Sequence, residues 1–252
     1  MSIKTATLNG VATIEIARPE KKNAITRAMY AQLATAFDAA REDPAVRAVL
    51  LTGQPGIFTS GNDIEDFVQR PSEAEPPSIT FMKALIACDK PVVAAVTGAA
   101  IGIGTTMLLH CDFVYVSDEA RLAMPFVSLG LVPEFASSLI VLQLMGNVRA
   151  AEKLLLGDPF TGVDAVECGI ANAVLPASEV AKHARRIAER FNALPPGAVR
   201  ETKRLMRRHR SAAALEAIEV ERQVFGARLQ SPEAKEAFSA FFEKRKPDFS
   251  RF

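Results

Sequence analysis

The chain has 252 residues, of which 49% are hydrophobic and 23% charged, a composition typical of a globular protein with one large buried core. Thirty basic and twenty-nine acidic residues leave a formal net charge of +1, so charge gives no case for a nucleic-acid or membrane-surface partner. Three cysteines without paired spacing indicate free thiols in a reducing compartment. Because residues 1–10 lack the apolar core of a signal peptide and no apolar run reaches the roughly 18 residues of a membrane span, we expect a cytoplasmic protein.

The first third of the chain predicts strands, one amphipathic helix and a polar loop. Apolar and polar residues alternate over 8–17 around Asn9-Gly10, a pair typical of a hairpin turn. Thr26 is a suitable helix N-cap, and apolar residues follow it at helical spacing. Residues 46–52 predict a buried strand. The proline-rich residues 70–78 predict a mobile surface loop that acts as a lid over a site.

A strand, a glycine turn and a second apolar segment follow one another in the middle of the chain. Val92–Val96 predicts a short buried strand, and Gly102-Ile103-Gly104 predicts a turn before a helix over 105–110. Such a turn places unpaired backbone N–H groups at a helix N-terminus, where they favour a phosphate, a carboxylate or a developing oxyanion. Met107 stands where a dinucleotide fingerprint needs its third glycine, which excludes that motif. A tight turn with glycines for packing is the alternative interpretation.

The last third of the chain changes from alternating strands and helices to helices alone. Pro133-Glu134 predicts the start of an apolar helix, because the helix dipole favours an acid in the first turn, and the last strand is predicted at 171–175. Beyond Ser178 the pattern is helical, with breaks predicted at 195–197, near Ser211 and at 231–232. The chain therefore divides into an α/β core over residues 1–195 and a helical part over residues 196–252.

Charged residues and histidines give weaker signals. Residues 200–210, RETKRLMRRHR, form a basic cluster that predicts a solvated helix face, with contact to a phosphate-bearing ligand or an acidic partner as the alternative. His110, His183 and His209 have no metal-ligand spacing with carboxylates or cysteines. We therefore predict that the protein binds no metal.

Six segments occur in an order that is specific although each segment alone is loose. They are RPEKKNA at 18–24, FTSGNDI at 58–64, KPVVAAVTG at 90–98, the glycine turn with Cys111-Asp112, the stretch 125–133, and FFEKRKPDF at 241–249. This ordered set, which spans essentially the whole chain, resembles the crotonase superfamily of enoyl-CoA hydratases and isomerases. The resemblance implies an α/β fold built as a spiral of ββα units. It also implies a helical C-terminal trimerisation region and assembly as a homotrimer or a dimer of trimers.

The resemblance implies an acyl-CoA thioester substrate and no cofactor beyond the coenzyme A that the substrate carries. In this family two backbone N–H groups hold the thioester oxygen as it becomes an enolate; by position these belong to Asn62 and Ile103. Glycine neighbours let a thioester reach the backbone. The residues implied in substrate binding are Lys22, Asn23, Ala24, Ser60, Gly61, Asp63, Ile64, Gly102, Phe126 and Leu131. Glu65 stands where many relatives carry a lysine, a departure that removes one expected phosphate contact.

The acid and base distinguish the reactions of the family. Hydratases carry two glutamates, and the corresponding positions here are Thr106 and Phe126, so the usual route to water addition lacks its acid and its base. Glu134, in LGLVPEFASS, resembles the single catalytic glutamate of Δ3,Δ2-enoyl-CoA isomerases of the peroxisomal type. An isomerase needs one base, which removes a proton from C2 and returns it at C4. The alternative for Glu134 is the ordinary preference for an acid at a helix start.

Two other functions stay open. A hydratase, hydrolase or other enolate-forming lyase would take its polar groups from elsewhere, with Ser137, Ser138, Thr106 or Asp63 as the residues to test. A non-catalytic acyl-CoA-binding protein is favoured by the replacement of both hydratase acids. The predicted function is the isomerase, with Glu134 as base and acid and with Asn62 and Ile103 as backbone donors.

Overall fold

Strands and helices alternate along the protein, whose computed structural model describes residues 2–68 and 75–252. The strands in these residues are β1 (Ile3–Leu8), β2 (Val11–Ile16), β3 (Ala48–Thr52), β4 (Ile57–Thr59), β5 (Val92–Val96), β6 (Ala99–Ile101), β7 (Phe113–Ser117), β8 (Arg121–Ala123), β9 (Phe160–Thr161) and β10 (Ala173–Leu175). The α-helices are α1 (Arg27–Glu42), α2 (Ile64–Val68), α3 (Pro77–Ala87), α4 (Ile103–Thr106), α5 (Ser137–Ala151), α6 (Gly162–Glu167), α7 (Ala177–Glu189), α8 (Pro196–Leu229) and α9 (Pro232–Phe242).

The strands form two sheets that the chain visits in turn. Six strands lie in the order β1-β2-β3-β5-β7-β10 and four in the order β4-β6-β8-β9, with antiparallel pairing at β1–β2 and β8–β9 and parallel pairing elsewhere. Each of the successive pairs β3–β4, β5–β6 and β7–β8 places one strand in each sheet, and a helix follows each pair. This repeat is the predicted spiral of ββα units, and the expected α/β fold class with its helical C-terminal region is confirmed.

The strand β5 explains why the core has two parts. All five of its residues are buried, as expected for a parallel strand that is covered on both faces. Because side chains alternate along a strand, Val92, Ala94 and Val96 belong to the larger apolar core, whereas Val93 and Ala95 pack in a smaller core beneath α7. The glycine turn that follows β5 and β6 is therefore anchored to the centre of the molecule.

The predicted helix start at Pro133-Glu134 is wrong, because α5 begins at Ser137. Phe135 and Ala136 adopt left-handed φ angles of 60° and 57°, so the backbone cannot be helical at these positions. Glu134 consequently lies in a turn before the helix, and the first-turn preference does not explain its presence. Within α5, Gly146 is non-helical.

The predicted break near Ser211 is also wrong, because α8 runs without interruption over its 34 residues, which include Ser211. Serine has only a mild effect on helix stability, and the alanines that follow it are strong helix formers. The basic cluster of α8 is not simply a solvated face either. Lys203 and Arg207 form ion pairs with Asp112 at 2.6 Å and 2.7 Å, and Arg210 donates to the carbonyl oxygen of Leu109, so these side chains fasten α8 to the core.

Part of the predicted lid falls where the structure gives no description. Of residues 70–78, those from 70 to 74 lie outside the described residues, whereas Pro77 already begins α3. Across residues 2–68 and 75–252, no helix combines the length and the apolar character that crossing a membrane requires.

Candidate active site

Two chain segments leave neighbouring strands side by side and carry the predicted oxyanion donors. Thr59 of β4 pairs with Ala100 of β6, so residues 60–62 run beside residues 101–103. A Cβ atom at Gly61 would lie 2.9 Å from the carbonyl oxygen of Ile101, and the φ angle of Gly61 is +94°. Only glycine permits this approach and this φ without strain. The contact joins the two segments one residue before Asn62 and two residues before Ile103.

A second close contact fixes the start of α4 against the first segment. A Cβ atom at Gly104 would lie 2.6 Å from Cγ2 of Thr59, so the helix start packs directly on the end of β4. Ile103 is the first residue of α4 and its side chain is fully buried. The N–H group of a first helical residue has no partner within its own helix.

The loop after β2 is hydrogen-bonded to the segment that carries Asn62. Ser60 N–H donates to the carbonyl oxygen of Lys22 at 3.1 Å, and Ile25 N–H donates to that of Gly61 at 2.8 Å. The side chain of Asn23 is fully buried; its amide donates to the carbonyl oxygens of Ile57 and Phe58. Asn23 therefore ties the loop to β4 through its side chain.

Asp63 is engaged in an ion pair within the protein. Its carboxylate lies 2.6 Å from Nη1 of Arg18, and Arg18 also donates to the carbonyl oxygen of Ala24 at 3.0 Å. Burial tends to raise the pKa of Asp63, but the hydrogen bonds and the charge of Arg18 outweigh it and hold the pKa below its usual value. Asp63 is thus an ionised group that connects the segment after β4 to the loop after β2.

Asn62 and Glu134 line the same cavity, together with Tyr30 and a wall of apolar side chains that includes Ile79, Met82, Ile218 and Phe225. The hydroxyl group of Tyr30 donates to Oδ1 of Asn62 at 2.5 Å. Burial raises the pKa of Tyr30 well above its usual value, and the nearby carboxylates of Glu134 and Asp66 raise it further. Tyr30 is therefore a neutral donor that lies within electrostatic reach of Glu134.

The turn that carries Glu134 is contacted by two buried polar side chains. Glu221 of α8 accepts hydrogen bonds from Ala136 N–H at 2.6 Å and from Ser138 N–H at 3.0 Å. On the other side, Nε2 of His110 lies 2.8 Å from the carbonyl oxygen of Phe135. Burial lowers the pKa of His110 to about 3, with further lowering by Arg210 and Arg207 and an opposing effect of the hydrogen bond to Phe135, so the imidazole is neutral. A neutral imidazole opposite a carbonyl must carry its proton on Nε2.

Thr106 and Phe126, the residues that the family resemblance assigns to the two hydratase acids, are both buried. Thr106 is fully buried in α4. Phe126 is buried as well, and its ring edge would lie 4.0 Å from a Cβ atom at Gly102. Thr106 and Phe126 therefore place a hydroxyl group and an aromatic ring, and no carboxylate, at these two positions.

Comparison with known proteins identifies the family. The description of the family that matches residues 6–251 is "Enoyl-CoA hydratase/isomerase". The chain belongs to this family. A crystal structure of an enoyl-CoA hydratase/isomerase from Pseudoalteromonas atlantica T6c superimposes with a TM-score of 0.94 at 40% identity, covering 99% of this chain and all of that one.

Relatives with different named reactions match the chain at similar identity. Human enoyl-CoA delta isomerase 2 is 33% identical over 246 residues, which cover 94% of this chain and 62% of the human protein. The 2,3-dehydroadipyl-CoA hydratase of Escherichia coli is 28% identical over 95% of this chain and 94% of its own length. The family is therefore shown, whereas the choice between isomerase and hydratase depends on the residues of the site.

The structure brings the predicted site residues of this enoyl-CoA hydratase/isomerase family member into two neighbouring groups. Asn62, Asp63 and Glu134 line the cavity. Next to this cavity, the loop after β2 and the segment after β4 are joined by hydrogen bonds. These two segments contain Lys22, Asn23, Ala24, Ser60 and Gly61, and Ile64 begins α2. Gly102, Ile103, Phe126 and Leu131 do not line this cavity; they lie around the glycine turn that Gly61 contacts.

Three residues of the site were not predicted from the sequence: Tyr30, His110 as a contact of Phe135, and Glu221. For Glu221 a signal existed, since it falls between Ile218 and Phe225 on the buried stripe of α8. An acid at an inward helical position needs a buried partner, and this pattern can be recognised in a sequence. For Tyr30 and His110 the sequence offers no comparable signal.

Proposed function

We propose that the protein is an isomerase that moves the double bond of a 3-enoyl-CoA thioester to the 2-position, with Glu134 as the proton-carrying base. The observation that supports the proposal is the location of Glu134 in the cavity that Asn62 lines. Thr106 and Phe126, at the positions of the two hydratase acids, argue against the usual hydration route.

The other acids of this cavity have structural roles. Asp63 is paired with Arg18, and Asp66 accepts a hydrogen bond from Arg27 N–H at 2.5 Å. Glu221 accepts hydrogen bonds at both of its oxygen atoms. Each of these carboxylates stabilises a segment of the cavity wall. We assign the reaction to Glu134 because it lines the cavity with Asn62 and lies in the segment that resembles the one carrying the isomerase glutamate.

The chemistry follows from one carboxylate and two backbone donors. The carboxylate of Glu134 takes the proton from C2, and the C–H electrons delocalise onto the thioester oxygen, which accepts hydrogen bonds from Asn62 N–H and Ile103 N–H. Each such donor is worth about 3–4 kcal/mol in comparable sites. Glu134 then returns the proton at C4, the carbonyl forms again, and the double bond lies between C2 and C3. No water molecule is consumed.

The remaining parts of the proposal concern binding and assembly. The first loop, Lys22–Ala24, and the segment Ser60–Ile64 would contact the coenzyme A portion of the substrate, and Gly102, Phe126 and Leu131 the acyl portion. We propose no further cofactor and no metal. Residues 196–252 would carry the contacts of a homotrimer or a dimer of trimers, in the cytoplasm.

The test is a pair of turnover assays on wild type and on Glu134→Gln, with trans-3-hexenoyl-CoA and trans-2-hexenoyl-CoA as substrates. Isomerisation of the 3-enoyl ester should fall by roughly 10³-fold in Glu134→Gln, because a neutral amide cannot accept the proton. Binding of the saturated ester hexanoyl-CoA should be retained. Glu119→Gln, an exposed acid in the turn after β7, is the matched control and should keep wild-type turnover.

Other outcomes identify the alternatives. Hydration of the 2-enoyl ester that survives Glu134→Gln would contradict the isomerase and its base, and would agree with the reaction named for the Escherichia coli relative. Tight binding of hexanoyl-CoA without turnover of either ester, unchanged in Glu134→Gln, would instead support an acyl-CoA-binding protein.

A further inference from the structure

We propose that Glu221, on the long C-terminal helix α8, is a positioning residue that holds the turn carrying Glu134 in its productive conformation. This inference rests on the proposed function, because it assigns to Glu221 the orientation of the base named there. Glu221 itself would exchange no proton with the substrate.

The turn needs support because its backbone is intrinsically unfavourable. Phe135 and Ala136 are consecutive non-glycine residues with left-handed φ angles of 60° and 57°. A side-chain Cβ crowds the following carbonyl in this conformation, so it persists only where the surroundings hold it. Since Glu134 directly precedes the pair, a relaxation of either residue would redirect its carboxylate.

Glu221 supplies the acceptors that this conformation requires. Ala136 and Ser138 flank the first residue of α5, and N–H groups at a helix start lack partners within the helix. Oε2 of Glu221 accepts from Ala136 N–H at 2.6 Å, whereas Oε1 accepts from Ser138 N–H at 3.0 Å and from the Ser138 hydroxyl at 2.6 Å. One buried carboxylate thus satisfies three donors across the turn.

Contacts on the opposite side complete the support. Nε2–H of His110 donates to the carbonyl oxygen of Phe135 at 2.8 Å, and the two rings stack with a centroid separation of 4.0 Å. His110 therefore holds the carbonyl end of Phe135 while Glu221 holds the N–H of the next residue. The peptide unit between Phe135 and Ala136 is fixed at both of its polar groups.

The same contacts give Glu221 a role within the protein. Both of its oxygen atoms accept hydrogen bonds from the turn, and although burial raises the pKa of Glu221, the hydrogen bonds from Ser138 and Ala136 oppose that effect. Ile218 and Phe225, on the same face of α8, line the cavity, so the helix aligns the cavity wall and the turn together. Glu221 is placed to orient the base and not to replace it.

The first experiment compares Glu221→Gln with Glu216→Gln, which changes an exposed acid on the same helix. In Glu221→Gln the amide group keeps the size of the side chain but turns a donor toward one of the N–H groups. We expect kcat for trans-3-hexenoyl-CoA to fall by about 10²-fold, the effect of displacing a reacting group by about 1 Å. The dissociation constant of hexanoyl-CoA should change by less than about 3-fold. Glu216→Gln should match wild type in both quantities.

The second experiment separates positioning from a loss of packing. Glycine adopts the left-handed conformation without the steric cost. Ala136→Gly introduced into Glu221→Gln should therefore restore kcat by about 5-fold or more relative to Glu221→Gln alone. Ala136 is fully buried, so in a merely destabilised protein the loss of its methyl group would add damage and lower kcat further. A fall in kcat in the double variant would overturn the inference.

The outcomes keep the inference and the proposed function distinguishable. If Glu134→Gln is inactive while folded Glu221→Gln has wild-type kcat, the positioning role is wrong and the proposed base stands. If Glu134→Gln is fully active, the proposed function fails, and with it the reason for the positioning role. Should Glu221→Gln not fold, Glu221→Asp, which withdraws the carboxylate by one methylene, takes its place; wild-type kcat in that variant would likewise contradict the inference.

Discussion

The two halves of the site are held in place by different means. The segments that carry Asn62 and Ile103, the proposed donors, follow paired strands, and glycines at 61 and 104 permit their close contacts. The turn with Glu134 has no glycine at its left-handed residues and depends on side chains at positions 110 and 221. The first half thus rests on close backbone contacts that glycines permit, whereas the second half rests on side-chain hydrogen bonds to a strained turn.

The long helix α8 connects the two halves. Arg207 and Arg210 donate to the carbonyl oxygens of His110 and Leu109, at the end of the helical segment that starts with Ile103. Further along the same helix, Glu221 accepts a hydrogen bond from Ala136 N–H in the turn that carries Glu134. A displacement of α8 would therefore affect both the segment of Ile103, a proposed donor, and the turn of Glu134, the proposed base.

The largest effect is expected from the half that rests on close backbone contacts. In Gly61→Ala the new methyl group would lie 2.9 Å from the carbonyl oxygen of Ile101, at a φ angle of +94°. The segments must separate, and the loss of one aligned donor should lower kcat by about 10²–10³-fold. Steady-state kinetics with trans-3-hexenoyl-CoA measures this loss.

A matched control isolates the contact from the backbone strain. Gly56 also has a left-handed φ angle, of +79°, but no atom lies within 4 Å of its Cβ position. Gly56→Ala should therefore share the strain and keep kcat within about 3-fold of wild type. Equal losses of kcat in both variants would show that strain, and not the approach of the two segments, limits the reaction.

The difference between the two halves of the site also explains what the sequence could predict. Local patterns predict β2, β3, β5 and β10, and the family resemblance predicts the ββα order; both predictions are confirmed, whereas β6 and β9 were not predicted. The helix start predicted at Pro133-Glu134 follows a local preference, whereas in the structure Ala136, just after this pair, bonds to Glu221, 85 residues further along the chain. Local statistics contain no information on such a contact. The roles assigned to Glu134, Asn62 and Ile103 stay predictions.

An intermediate effect is expected from the other half, the turn of Glu134, through the side chain of His110. Its pKa is about 3 in the folded protein and about 6.5 in an unfolded chain, so below pH 6.5 the unfolded state binds a proton that the folded state excludes. Stability is therefore lost as the pH falls from 6.5 toward 3. Between pH 7 and pH 5 this group should lower the free energy of unfolding by about 2 kcal/mol.

Urea denaturation at pH 7 and pH 5 measures this contribution. In His110→Gln the amide can still donate to the carbonyl oxygen of Phe135 but does not titrate. The decrease in the free energy of unfolding from pH 7 to pH 5 should therefore be about 2 kcal/mol smaller than in wild type. His209→Gln, an exposed histidine on α8, should retain the wild-type pH dependence. If the free energy of unfolding of His110→Gln decreased between pH 7 and pH 5 as much as that of wild type, other buried groups would cause the acid sensitivity.

The smallest effect is expected at Tyr30, the residue where the two halves meet. Its hydroxyl group donates to Oδ1 of Asn62, while the charge of Glu134 contributes to its raised pKa. Tyr30→Phe removes this hydrogen bond and leaves the ring, which should cost about 1 kcal/mol in transition-state stabilisation, or roughly 5-fold in kcat. Tyr115→Phe changes the other tyrosine of the chain, in the smaller core beneath α7, and should leave kcat unchanged. A loss in Tyr30→Phe as large as that in Gly61→Ala would show that the side chain of Asn62, and not the packing of backbone on backbone, aligns the donor. That result would remove the distinction between a half that rests on backbone contacts and a half that rests on side-chain contacts, because the proposed donors too would then depend on a side chain.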